Sequence, residues 1–119
     1  MKTHKDLDVW KDSISLVFEI YTMSRLFPKE ELFCLTQQLR RAIISVPSNI
    51  SEGAARNQKR EFVRFLRISS GSLAEVETQL IIARQQNYIT EPAFLRITNA
   101  MNKVRSQISG LIKNLEQKI

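Results

Sequence analysis

Apolar residues recur at steps of three and four through most of the chain, the spacing of one face of an α-helix. In the first segment Leu7, Trp10, Ile14, Val17 and Tyr21 make such a face, and in the second Leu32, Leu35, Leu39, Ile43 and Val46. The third carries Phe62, Phe65, Leu66, Ser69, Leu73, Val76, Leu80 and Ala83. The fourth carries Phe94, Ile97, Met101, Val104, Ile108, Leu111 and Leu115, close to a heptad. No useful length alternates with the period of two that a half-buried strand requires.

The punctuation divides the chain at the same places. Pro28 ends the first helix or opens the turn after it, with Lys29, Glu30 and Glu31 leading into the second. The polar run Arg56-Asn57-Gln58-Lys59 is where the second helix hands over to the third. Thr90 is placed to cap the fourth, with Glu91 suited to the positive helix end and Pro92 tolerated in the first turn. Four helices with short links pack most economically as an all-α, up-and-down antiparallel four-helix bundle, here one domain over residues 1–119.

Two features exceed a plain bundle. Helix one has a second apolar stripe, Val9, Leu16, Ile20, Met23 and Phe27, nearly opposite the first at 100° per residue. Either this helix is buried on both sides or the second stripe meets another subunit, and the expectation is self-association through it. Pro47 falls inside the second helix, where it removes a donor and crowds the carbonyl four residues back, so a kink or local unwinding is expected. The small run Ser69-Ser70-Gly71-Ser72 is expected to receive the kinked segment, with Gly53 six residues beyond the proline.

Composition narrows the chemistry. With 43% hydrophobic and 25% charged residues the chain can bury a core and does not read as a disordered tail. One Cys and one His exclude a disulfide framework and a zinc site built from one chain's Cys and His. The longest apolar runs are four residues, so no membrane span is expected. The first residues lack the apolar stretch of a signal peptide, and a cytoplasmic location is expected. His4 sits at an N-terminus expected to fray. Cys34, in an apolar run with no His near it, reads as a buried structural thiol. No nucleophile, general base, metal or cofactor arrangement emerges, so the expectation is a protein that is not an enzyme and needs no cofactor.

Charge is what remains, and it is uneven. Of the net +6, residues 36–67 supply +5, against −1 before them and +2 after. Such a concentration suits an anionic partner, nucleic acid being the commonest, although a solvated face has the same composition. Arg60, Arg64 and Arg67 form a stripe at i, i+4, i+7 on the side of helix three away from its apolar face. Glu61 lies off that stripe and is not expected to neutralise it. Arg40 and Arg41 lie on helix two, and Arg56 and Lys59 at the turn, so one basic surface of seven residues is expected to contact phosphate. No aromatic is interleaved among the arginines, which favours backbone or shape recognition over base stacking. Pairing of some arginines with acids such as Glu52 or Glu75 is the competing arrangement.

From about Leu7 to Thr90 several blocks carry a resemblance. They are Val9-Trp10 with Ile20-Tyr21 and Phe27-Pro28, then Leu35-Thr36-x-Gln38-Leu39-Arg40-Arg41-Ala42 running on to Ser45-Val46-Pro47-Ser48-Asn49-Ile50-Ser51-Glu52-Gly53. Phe62-x-x-Phe65-Leu66-Arg67-Ile68 and Gly71-Ser72-Leu73-x-Glu75-x-Glu77-Thr78 complete them. In these the chain resembles the four-helix-bundle proteins encoded in intervening sequences of bacterial 23S ribosomal RNA genes. It is also similar to accessory proteins of diversity-generating retroelements. One departure is Cys34, where the family often has Gly before Leu-Thr.

The resemblance implies an up-and-down bundle assembled as a ring, commonly a homopentamer, with a basic surface toward nucleic acid. In the retroelement relatives it implies a reverse-transcriptase partner. Arg40, Arg41, Pro47, Asn49, Glu52, Gly53, Gly71, Ser72 and Glu75 match the family's characteristic positions. Asn49 and Glu52, beside the proline, are open to a functional or a structural reading. The function expected is a basic, oligomeric bundle that binds RNA or DNA through phosphate. The alternative is a scaffold or accessory subunit that contacts a protein partner.

Overall fold

The computed structural model describes residues 3–119, so Met1 and Lys2 of the expected domain lie outside the described residues. Four helices follow in order: α1 (Asp8–Ser24), α2 (Leu35–Ala55), α3 (Lys59–Gln85) and α4 (Glu91–Glu116), with 3-10 turns at His4–Asp6 and Lys29–Glu31. Each helix packs on its neighbours in sequence, and α4 closes on α1. The short links force the helices antiparallel, and the result is an all-α four-helix bundle measuring 46 × 24 × 21 Å. His4 is not a frayed end: its ring meets Trp10 edge-on at 5.2 Å.

Helix boundaries follow local chemistry. Thr90 caps α4, accepting from the Ala93 amide at 3.4 Å. Asn57 and Asn87, which end the links' first turns, adopt positive φ of 59° and 63°, a conformation asparagine tolerates better than most residues. At α2 the expected start moves. The 3-10 turn Lys29–Glu31 opens on Pro28, and the helix begins only at Leu35. Leu32 therefore leaves the apolar stripe and is exposed. Cys34, expected to be buried, is exposed as well, because it is the non-helical residue that precedes α2.

The two stripes of α1 exchange the roles expected of them. Val9, Leu16, Ile20, Met23 and Phe27 are buried in the bundle core and offer no surface to another subunit. The stripe expected in the core is turned toward α2, where Trp10, Val17 and Tyr21 are half-buried and Ile14 is exposed. The physical reason lies in the side chains. An indole N–H and a phenol ring with polar neighbours need partners, which a bundle axis lacks. Trp10 Nε1 donates to Ser51 Oγ at 3.0 Å, and the Arg40 guanidinium lies 4.7 Å from the Tyr21 ring centre. The purely aliphatic and thioether stripe needs none, and it takes the axis.

Helix α2 passes through Pro47 without unwinding. Side-chain donors serve the carbonyls around the proline: Asn49 Nδ2 to Ser45 at 2.8 Å, Ser69 Oγ to Val46 at 2.9 Å, and Ser51 Oγ to Pro47 at 3.0 Å. Ser45 Oγ also hydrogen-bonds Ser72 Oγ, so the proline segment does pack on the small run of α3. Gly71 takes no part, since a Cβ built there meets nothing within 4 Å. The close approach is one turn beyond, where a Cβ on Gly53 would lie 2.8 Å from Phe65 Cβ.

Candidate nucleic-acid interface

Gly53 sets the geometry of the basic corner. Because it has no side chain, the end of α2 lies directly on Phe62 and Phe65 of α3, and the link shrinks to Arg56, Asn57 and Gln58. Arg56, Lys59, Arg60 and Arg64 are thereby gathered around one tight turn, all exposed. Gln58 gives α3 no side-chain cap, so Lys59 and Arg60 stand beside open amide groups of the first turn. An open groove of about 560 Å³ runs from Gly53 and Asn57 past Lys59 and Arg60 to Phe62 and Leu115.

Most of the arginines have acidic partners. Arg56 pairs with Glu52 at 2.9 Å and Arg67 with Glu116 of α4 at 2.7 Å. Arg64 grips Glu61 through two hydrogen bonds of 3.0 and 3.2 Å, which corrects the expectation that Glu61 would not neutralise the stripe. Side chains at i and i+3 are neighbours on a helix, and the arginine is long enough to reach back. The bond from Arg64 holds the Glu61 carboxyl below its usual range, and Glu61 in turn raises Arg64. Phe65 lies beneath the arginines rather than among them, with the guanidinium carbons of Arg64 and Arg56 at 4.5 and 5.3 Å from its ring centre. Among the described residues Lys59 and Arg60 have no ion-pair partner within 4.0 Å.

Arg40 and Arg41 do not join this corner. Fifteen residues of helix separate Arg41 from Arg56, about 22 Å along the axis. Arg40 Nε donates to the buried Ser24 Oγ at 2.9 Å while the guanidinium stacks on Tyr21, so it ties α2 to α1. Arg41 is exposed at a shallow groove shared with Gln38, Glu75 and Gln79. The seven basic residues thus form two groups, five near the α2–α3 turn and two at the opposite end of α2. Asn49 and Glu52 have structural partners, the Ser45 carbonyl and Arg56.

The antiparallel packing adds a residue that sequence reasoning missed. Lys113 of α4 lines the same groove of about 490 Å³ as Arg67, Gly71 and Ser109. Nothing local marks it, because it is far from the basic segment along the chain. Among the described residues no group of three or more His, Cys, Asp or Glu is placed to hold a metal ion, and no helix is long and apolar enough to cross a membrane.

Comparison with known proteins agrees with this architecture. A crystal structure of a protein of unknown function from the S23 ribosomal protein family of Bacteroides thetaiotaomicron superposes with a TM-score of 0.81 at 23% identity, covering 88% of this chain and 95% of that one. At that identity the likeness speaks for the fold. No curated protein matches. Residues 5–110 match the family described as 23S rRNA-intervening sequence protein, a stretch that continues past Thr90 into α4. The chain belongs to that family.

Proposed function

We propose that the protein is a non-enzymatic, oligomeric, basic bundle that binds RNA or DNA through phosphate, chiefly at the α2–α3 turn. The observation that carries this reading is the position of Lys59 and Arg60. Both are exposed cations without an acidic partner among the described residues, and both sit in the first turn of α3. The N-terminus of a helix is already positive, so cations there work against the helix, and an anion bound among them reverses the sign. Phosphate also has the geometry that Arg donors match in pairs. Arg56, Arg64 and Arg67 extend the surface, because exposed ion pairs are weak and a phosphate can replace a carboxylate at small cost.

No aromatic face is free beside these cations to stack a base, so phosphate contacts and shape dominate. Repetition of the surface in an oligomer multiplies modest contacts into avidity. A second reading, an accessory subunit that contacts a protein such as a polymerase, is favoured by the three arginines already held by Glu52, Glu61 and Glu116.

Salt titration separates the two. With five phosphate contacts, affinity for duplex DNA should fall about 500-fold between 50 and 200 mM salt. Lys59→Glu with Arg60→Glu should abolish much of that slope. The double variant places acids at the helix N-terminus, where they are favourable, so lost binding will not reflect lost folding. Affinity that is unchanged in the double variant overturns this surface. Absence of binding at 50 mM to both duplex DNA and structured RNA leaves the accessory-subunit reading.

A further inference from the structure

We propose that the groove at the start of α2 binds a nucleotide with a terminal phosphate, the phosphate against the first turn of the helix and the base on Phe33. The site lies at the far end of α2 from the α2–α3 turn and does not rest on the reading given to that turn.

Three observations meet there. The first turn of α2 is uncapped, since Cys34 precedes it without a side-chain hydrogen bond and no acid stands in that turn. Its leading amides therefore carry unopposed positive charge. Thr36, in the same turn, is 3% exposed, and its hydroxyl has no hydrogen-bond partner. A buried hydroxyl is costly to leave unmet, and threonine in a helix divides between two rotamers, so this one can turn to a group seated above it. Arg40 and Arg41 complete the anion side. Helical side chains lean back toward the N-terminus, which carries both guanidinium groups toward the first turn. Arg41 has no ion-pair partner among the described residues, and Arg40 uses one donor on Ser24 and keeps the others.

These groups line one open groove of about 310 Å³, in the range of small-molecule sites. Two cations line it and no acid does, so its complement is an anion. Its lip is apolar: Leu32 is 48% exposed and Phe33 81%. The Tyr21 ring is already covered by Arg40, whereas the Phe33 ring is open to a flat partner. The link before α2 thus brings to these two arginines the aromatic face that their own segment lacks. A bare anion would leave that face in water. A ligand joining a phosphate to a flat ring covers both halves of the groove, and this is the chemistry of a nucleotide. Stacking on an aromatic ring accepts any base, so selectivity here lies in the phosphate.

Calorimetric titration of the intact chain with adenosine monophosphate, inorganic phosphate and adenosine tests this, with circular dichroism as the check on folding. The nucleotide should bind more tightly than either of its halves. Phe33→Ala should weaken it by about tenfold, the order of one base–aromatic stack, and leave phosphate unaffected. Arg41→Gln should weaken the nucleotide and phosphate alike. Both side chains are exposed, so neither change disturbs the core. Thr36→Val stays close to the native shape and removes the unmet hydroxyl, so it should raise the unfolding temperature of the free protein while weakening the nucleotide. Lys59→Glu with Arg60→Glu should leave nucleotide binding intact, which separates this site from the α2–α3 turn. An oligonucleotide with a terminal phosphate, preferred over the same strand without it in a manner that Arg41→Gln removes, assigns the site to a strand end. Nucleotide binding without that preference assigns it to a free nucleotide. No binding of adenosine monophosphate at millimolar concentration overturns the proposal, as does binding no tighter than that of phosphate, or affinity unchanged in Phe33→Ala and Arg41→Gln.

Discussion

Ser69 Oγ donates a 2.9 Å hydrogen bond to the carbonyl of Val46, joining α3 to the residue just before Pro47. Both residues are fully buried. A proline inside a helix normally costs about 3 kcal/mol or more, partly through carbonyls left without donors. The carbonyl that loses its helical donor to Pro47 is that of Ile43, whereas Ser69, Asn49 and Ser51 add side-chain donors to the neighbouring Val46, Ser45 and Pro47 carbonyls and fasten the segment in place.

Ser69→Ala should therefore destabilise the bundle by about 1 kcal/mol, the net contribution of a typical hydrogen bond. Replacing Pro47 by Ala returns a donor to the Ile43 carbonyl and leaves the Val46 carbonyl as it was, so its effect should add to that of Ser69→Ala. Urea unfolding of the two single variants and the double checks this. Marked non-additivity would mean that the Ser69 bond does compensate the proline.

The three glycines give opposite predictions. A methyl group on Gly53 would meet Phe65 Cβ at 2.8 Å and the Phe62 backbone at 3.3 Å, neither of which is a flexible chain end. Gly53→Ala should cost about 1–3 kcal/mol, as overpacking in a close contact does. At Gly71 and Gly110 the methyl group meets nothing within 4 Å. Alanine at either should stabilise its helix by about 0.5–1 kcal/mol. Thermal unfolding of the three variants distinguishes them directly.

These contacts also show what the sequence could reveal. Thr90, Glu91 and Pro92 announce the start of α4 because capping is local chemistry. The small run of α3 and the proline of α2 could be matched because both are anomalies within a helical pattern. Two apolar stripes on α1 could not be ranked by period alone. The distinguishing sign was the polar atom on Trp10, which must find Ser51 and so belongs at the edge of the core. The basic corner was legible as a cluster near the turn, whereas its neutralisation was only half legible. The Glu61–Arg64 pair is local, but the Arg67–Glu116 pair joins α3 to α4 across 49 residues and depends on the fold. Arg40 and Arg41 share the basic segment of the sequence with the turn, but the length of α2 holds them apart from it.

Tyr88 gives the molecule an alkaline limb. Its hydroxyl donates to Glu31 Oε2 at 2.9 Å, tying the α3–α4 link to the turn before α2. That bond, then burial, then the charges of Glu31 and Glu30, hold the phenol pKa above its ordinary value. The folded state thus binds the phenol proton more tightly than the unfolded chain does. The contribution is complete below about pH 10, the unfolded value, and is lost as pH rises through the higher folded one. Wild type should lose more stability above pH 10 than Tyr88→Phe, measured by urea unfolding at a series of pH values. Equal losses would show that the phenol proton is not linked to folding.

Glu61 and Glu116 compete with any phosphate for Arg64 and Arg67, and this yields the sharpest test of the basic corner. If phosphate binds there, neutralising the competitor should help it. Glu61→Gln frees Arg64 and Glu116→Gln frees Arg67 without removing a cation. Each variant should bind duplex DNA more tightly with the salt slope little changed, because the same arginine meets phosphate without first giving up a carboxylate. The Glu61 carboxyl is held ionised below its usual range by Arg64, so in the wild type it competes throughout the neutral range and ceases only on strong acidification. Lowering the pH should therefore raise wild-type affinity late, and leave the Glu61→Gln variant without that component. Affinities unchanged by both substitutions would place the phosphate contacts elsewhere, since neither variant alters the fold's core or the number of cations.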